Sequence, residues 1–326
     1  MKKSMFALAA AITAVLSVSC AMNMREEPAL AIPGMDGEPA DKTAWEAEVS
    51  ADFNRVVASL GTPEAARAMA DYDAKYNTHL SGDFARQLST AARSSGSGSS
   101  NYPPLTDMPF AVDGAVYLSG GAADIVGGVI GWVAPKNFPG GYYHGAVLDK
   151  DKLDANNPDA PSLQTAIPKG AGYESKTDWQ TKINAAVLNP KTSLEKAKLD
   201  SAQSALHYYC KPENTNMEYG FFKNYVNIFN VVTKEDMYTW YCTKVVWHVY
   251  NKYGLNIDSN DTRVDFTKSG LYSLVNAYYK TIYFYSSSKA NTAINTYIAD
   301  ARTKIVLAEE ILLSPNLAKV YERIRE

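Results

Sequence analysis

The chain has 326 residues, with 32 Lys and Arg against 35 Asp and Glu, a formal net charge of -3. No basic excess is present to neutralise phosphates, so the composition argues against nucleic acid as a partner. Three cysteines are too few for a disulfide framework, which leaves them to anchoring, packing, one bridge or thiol chemistry.

At the N-terminus, Lys2 and Lys3 precede an apolar run from Met5 to Val18 broken only by Thr13 and Ser17. The run is too short for a mature membrane span and has the length of a signal-peptide core. It ends in Leu16-Ser17-Val18-Ser19-Cys20, small residues before a cysteine, the order of a lipoprotein signal. The expectation is that residues 1–19 are removed and Cys20 carries lipid, holding the protein to a membrane of the bacterial cell envelope. An ordinary secretory signal with a chance cysteine is the alternative. Residues 20–40, rich in Pro, Glu and Gly, are expected to be a disordered tether. After processing, about 300 residues remain, enough for one sizeable domain with appendages.

Residues 41–93 carry apolar side chains at helical spacing (Trp45, Val49, Phe53, Val56, Val57, Leu60), and Thr62-Pro63-Glu64 restarts a helix with proline in its first turn. This helical preface leads into a Ser/Gly linker at 94–105. From 106 the character turns to strands: 110–118, 141–149 bounded by Pro139-Gly140, and 163–167 closed by Pro168. A helix is expected over 193–209. A second carries the stripe Val245, Val246, Val249 and Tyr250 and stops at Gly254. The main domain is taken to 290, and 291–326 as a C-terminal helix, its periodicity running from Asn291 to Leu313. The class is α+β.

Thiol catalysis needs a nucleophilic sulfur, a base within reach of it and a polar group that orients the base. His79 falls in the preface, and His207 sits among Leu206, Tyr208 and Tyr209 where packing explains it. His248, six residues past Cys242, would lie ~9 Å further along a helix and turned away. His144 remains, on a strand beside Gly145, where a missing side chain leaves room for another backbone or a ligand. Cys242 opens an aromatic-rich helix, and a cysteine in a first turn has its thiolate stabilised by unpaired amides. Two alternatives stand beside this. Thr233-x-x-Asp236 can form a capping box that moves Cys242 into the third turn, and a lone cysteine on an apolar stripe is often just buried packing. Cys210, followed by Lys211-Pro212, is a rival thiol without a matching motif.

The order Gly114-Ala115-Val116-Tyr117-Leu118, a Gly-rich segment, Tyr143-His144-Gly145, then Tyr241-Cys242-Thr243-Lys244-Val245-Val246-Trp247 resembles the circularly permuted NlpC-type, papain-like amidases of the YiiX/YaeF group. In that group the histidine precedes the cysteine. The resemblance covers 106–286 and implies a small antiparallel sheet packed on helices, Cys242 as nucleophile and His144 as base. It also implies that Gln164, in Leu163-Gln164-Thr165-Ala166, orients His144, although the family frequently has Glu there. The oxyanion donors would be the Cys242 amide and Tyr143 or Tyr241. The function so implied is an envelope-anchored cysteine hydrolase of an amide, such as a cell-wall peptide, or an acyl ester, needing no cofactor or metal. The alternative is a non-catalytic binding lipoprotein that uses the cleft or an aromatic surface fed by 22 tyrosines.

Overall fold

A computed structural model describes residues 30–325 except 61, 87–101, 122–129, 168–169, 207–217 and 221–231. The expected signal and Cys20, most of the Ser/Gly linker, His207 and Cys210 lie outside the described residues. Helices α1 (Lys42–Ser59) and α2 (Ala65–Tyr76) come first. The Asp41 carboxylate accepts from the Ala44 N–H at 3.0 Å, satisfying one of the donors every helix start leaves open. Trp45, Val49, Phe53, Val56 and Val57 form the buried stripe of α1. The tether expectation needs correction over its last part. Ile32 is buried and the Asn77 side chain donates to the Ala31 carbonyl at 3.1 Å, because Ile32, with Leu30 and Met35 beside it, finds a place in the helical core.

A six-stranded sheet follows from β1 (Val116–Gly120), β2 (Tyr142–Leu148), β3 (Pro161–Ile167), β4 (Gly170–Ser175) and β5 (Asn184–Pro190), with the one-turn helix α3 (Lys176–Gln180) after β4 and α4 (Lys196–Ser204) after β5. Short strands β6 (Glu218–Tyr219) and β7 (Thr239–Trp240) pair in parallel before α5 (Cys242–Tyr253). Helices α6 (Gly270–Ile282), α7 (Ser287–Lys304) and α8 (Ala308–Leu312) lead to β8 (Leu317–Arg323). The strand order is β4-β3-β2-β1-β5-β8, antiparallel at every pairing. The fold is α+β.

Side-chain alternation gives this sheet two buried faces. Val116, Leu118, Val147, Ala186 and Leu188 pack with Leu199 of α4 and with Val245, Val246, Val249 and Tyr250 of α5. The residues between them in sequence, Ala115, Tyr117, Ala146, Leu148, Ala185 and Val187, face the other way, onto Leu105, Met108 and Trp179. Leu105, assigned to the linker, is therefore core. The helical preface shares a third core with the C-terminal helices, in which Val49, Phe53, Met69 and Tyr72 meet Leu274, Tyr278, Ile282 and Ile294.

The end of the chain is not one helix. α7 stops at Lys304, Ile305 to Leu307 run extended, and β8 pairs with β5. The break follows from competition for the Val306 backbone: its N–H donates to the Tyr241 hydroxyl at 3.0 Å, and its carbonyl accepts from the Thr243 hydroxyl at 2.6 Å. Among the described residues no helix is long and apolar enough to cross a membrane.

Candidate active site

Cys242 is the first residue of α5, and Tyr241 stands at the N-cap with extended backbone and no side-chain capping bond. A missing cap costs roughly 0.5–2 kcal/mol. Burial of Val245, Val246, Val249 and Tyr250 in the same helix, each contributing about 1.5–3 kcal/mol when complete, outweighs that cost. The N-cap side chain thus offers the first-turn amides no capping bond, and the positive end of the helix dipole there favours an anion. The capping box at Thr233 does not form. Asp236 instead accepts from the Tyr238 and Thr239 N–H groups at 2.7 and 3.0 Å, and the chain then runs extended through β7, so Cys242 occupies the first turn. The helix ends at Gly254, whose φ of 102° is open to glycine at little cost.

Cys242 is 2% exposed and its S–H donates to the Tyr143 carbonyl at 3.5 Å. The sulfur is near enough to the His144 ring to raise the imidazole pKa. The approach depends on Gly145, since a Cβ there would sit 3.3 Å from Thr243 Cγ2 and 3.4 Å from Val246 Cγ2. The space beside His144 is filled by α5 itself. His144 sits at a bulge, where Ser119 pairs with His144 but Gly120 with Tyr142, a feature that re-aims side chains locally.

The other flank of the imidazole is held by a residue that spacing did not identify. His144 Nε2 lies 2.9 Å from Glu174 Oε2, so Nε2 is the nitrogen that donates to the carboxylate and Nδ1 is left for the thiol. The Trp179 ring stacks on the imidazole at 5.4 Å between centroids and 15° between planes. Lys182 Nζ donates to the other Glu174 oxygen, Oε1, at 3.3 Å. Glu174 is the next-to-last residue of β4, Trp179 lies in α3 and Lys182 just follows it. A capping box joins them: the Ser175 hydroxyl accepts from the Asp178 N–H while the Asp178 carboxylate accepts from the Ser175 N–H.

Gln164 does not orient His144. Its Cα partner on β2 is Val147, which faces α5, whereas His144 shares the alternation of Ala146 and Leu148 on the opposite face. Gln164 Nε2 donates to the Tyr173 hydroxyl at 2.8 Å and to the Gln203 carbonyl at 3.0 Å, tying β3 to α4. Glu174 is the cross-strand partner of Leu163, on the His144 face. The signal that could have found it is Ser175-Lys176-Thr177-Asp178, whose capping pattern ends the strand at Ser175, one residue past Glu174.

Of the oxyanion candidates, Tyr241 is buried and its hydroxyl is engaged by the Val306 N–H at 3.0 Å, so it seats the helix start. The Tyr143 hydroxyl donates to the Gly121 carbonyl at 3.3 Å, while its own carbonyl meets the thiol. The Cys242 amide remains the donor placed by the first turn. His248 is a buried residue of α5 itself, edge-on to Trp240 at 5.3 Å, and burial with the nearby Lys252 and Lys244 pushes its pKa down to about 4. His79 lines a separate cleft of about 900 Å³ with Asn77, Asp83, Tyr272 and Lys280.

Burial on its own would lower the His144 pKa. The Glu174 carboxylate and the Cys242 sulfur more than offset it and raise the value to about 9. Burial opposes ionisation of Glu174 too, but His144 and Lys182 bring it down to about 2. Between these limits the favoured state is imidazolium beside carboxylate. No protein-family model, curated protein or solved structure matches the chain.

Proposed function

We propose that the protein is a cysteine hydrolase of the permuted papain-like, NlpC type, acting on an amide or acyl ester at the cell envelope, to which lipid on Cys20 anchors it. One observation carries the reading. The Glu174–His144 bond at 2.9 Å engages Nε2 and leaves Nδ1 for a thiol in the first turn of a helix. The Cys242 thiolate attacks the substrate carbonyl carbon, and a C–S bond forms as the carbonyl electrons move to oxygen, where the Cys242 N–H meets them. The tetrahedral adduct collapses, the C–N or C–O bond breaks, and the His144 imidazolium gives its proton to the leaving group. Water then attacks the thioester while His144 takes its proton. The C–S bond breaks, the acid departs and the thiolate–imidazolium pair returns. Glu174 holds the ring in one tautomer throughout and takes no proton.

The aromatic-surface alternative gains little support. Among the described residues the large hydrophobics that stand exposed are Val112, Tyr238 and Val320, while Tyr278, Ile282 and Phe284, within the aromatic-rich stretch 277–285, are buried. The test is a screen of D,L-peptide amides and acyl esters with protein lacking residues 1–20. Turnover lost in both Cys242→Ala and His144→Ala, with folding retained, supports the reading. Turnover that survives Cys242→Ala overturns it. For the anchor, Cys20→Ser should leave the protein unprocessed or release it from the membrane fraction. A Cys20→Ser protein processed and membrane-bound as before would end that part of the proposal.

A further inference from the structure

The Glu174 carboxylate has two oxygens with different partners, His144 on Oε2 and Lys182 on Oε1. Lys182 is a quarter exposed at its side chain and its Nζ stands 5.4 Å from the Trp179 ring centroid, the same indole on which the imidazole stacks. A freely rotating surface lysine gains little from one carboxylate, typically 0–1 kcal/mol. This one is held between an aromatic ring and a carboxylate whose side chain is 20% exposed, where water screens less and direction matters more. Among the described residues, the ionisable groups facing the imidazole are Glu174 from β4 and the Cys242 thiol from α5, with Lys182 behind Glu174. With the thiol ionised the row alternates as Lys182 positive, Glu174 negative, His144 positive and Cys242 negative. Without Lys182 it carries one uncompensated negative charge.

We propose that Lys182 is a positioning residue of this site: by holding Oε1 it fixes Oε2 on His144, and its charge weakens the carboxylate's hold on the imidazolium proton. This rests on the cysteine hydrolase reading and extends it. A general acid works best when its pKa is close to the working pH, and an imidazolium bound to an unshared buried carboxylate gives up its proton reluctantly. Lys182 opposes that excess while keeping the carboxylate ionised and aimed. The chain places it economically. Glu174, Trp179 and Lys182 belong to one capped corner, so the indole that supports the imidazole also supports the cation.

The experiment is an NMR titration of the His144 imidazole in labelled protein lacking residues 1–20, assigned by its absence in His144→Asn, for wild type, Lys182→Met, Lys182→Gln and Lys182→Arg. Removing the cation should raise the His144 midpoint by on the order of one pH unit in the Met and Gln variants. Arg should restore the wild-type value. Lys182→Gln keeps a hydrogen-bond donor without charge, so it separates electrostatics from packing and remains informative if Lys182→Met fails to fold. On a substrate that wild type turns over, the neutral variants should lose kcat with KM little changed. If both folded neutral variants titrate as wild type does, Lys182 only packs on Trp179 and the inference is overturned. The underlying reading fails separately. In that case wild-type Cys242 reacts with iodoacetamide no faster than Cys242 in the His144→Asn protein, whatever the Lys182 variants do.

Discussion

The two flanks of the His144 ring are built in opposite ways. On one flank, Glu174, Trp179 and Lys182 come from a single β4–α3 corner whose shape is set locally by the Ser175–Asp178 capping box. On the other, Cys242 arrives from a distant helix, placed by tertiary contacts alone: Gly145 against Thr243 and Val246, and Val306 gripping Tyr241 and Thr243. The local flank sets the charge on the imidazole, and the distant flank sets the position of the sulfur. Substitutions in the corner should therefore change protonation with little effect on architecture. Substitutions at the seat of α5 should displace the thiol and lower stability together.

The largest expected effect comes from breaking the pair itself. Cys242→Ala and His144→Ala should each remove nearly all turnover, because neither group performs the step without the other. Steady-state kinetics on one substrate, with circular dichroism for folding, checks this. Next is Glu174→Gln, for which we expect a ~100- to 10000-fold loss of kcat/KM, the scale seen when the group holding a catalytic imidazole loses its charge. Gln164→Ala is the contrasting variant, with kcat/KM within a few-fold of wild type but a stability cost of about 1–3 kcal/mol from the partners left unpaired, measured by urea unfolding. Should Gln164→Ala lose as much activity as Glu174→Gln, the assignment of the orienting residue is wrong.

On the distant flank, Gly145→Val should overpack the contact with α5 and cost about 1–3 kcal/mol in thermal or urea unfolding, with turnover falling in the same variant.

The smaller effects are those of pH on stability. Glu174 is lowered from 4.5 to about 2, so its contribution is complete above 4.5 and lost as pH falls through about 2. His144 is raised from 6.5 to about 9, so its contribution is complete below 6.5 and lost as pH rises through about 9. The stability deficit of Glu174→Gln should therefore be widest between pH 4.5 and 6.5 and shrink on both sides. Glu310 provides the opposite sign. Burial and the neighbouring Asp258 raise its pKa to about 8, so stability should fall as pH rises from 4.5 toward 8. Glu310→Gln should flatten that slope and gain on wild type at pH 8 but not at pH 4. Unfolding curves across pH decide both.

The same contrast governs what the sequence reveals. Alternating or apolar runs bounded by Gly and Pro mark β1, β2 and β3, and the stripe Val245, Val246, Val249, Tyr250 before Gly254 marks α5. His144 and Cys242 are legible because they stand on these elements. Glu174 is not, because Gly-Ala-Gly-Tyr-Glu-Ser lacks a hydrophobic alternation, and its strand is recognisable only by the strand it pairs with. Gln164 attracts attention as the polar residue in a clear strand, yet its Val147 register turns it to the other face. A one-residue change of parity decides the matter. The C-terminal error has the same origin. Helical periodicity continues toward Leu313, but the hydrogen bonds that hold Val306 extended come from Tyr241 and Thr243, far away in sequence.

The most direct test of the Cys242–His144–Glu174 unit is the rate of Cys242 alkylation by iodoacetamide at pH 7, followed by mass spectrometry in wild type, His144→Asn and Glu174→Gln, with Cys210 as the internal reference. The account predicts that wild-type Cys242 reacts faster than Cys210, that His144→Asn slows it at least about ten-fold through loss of the thiolate's partner, and that Glu174→Gln falls between the two. Equal Cys242 rates in all three folded proteins would contradict it.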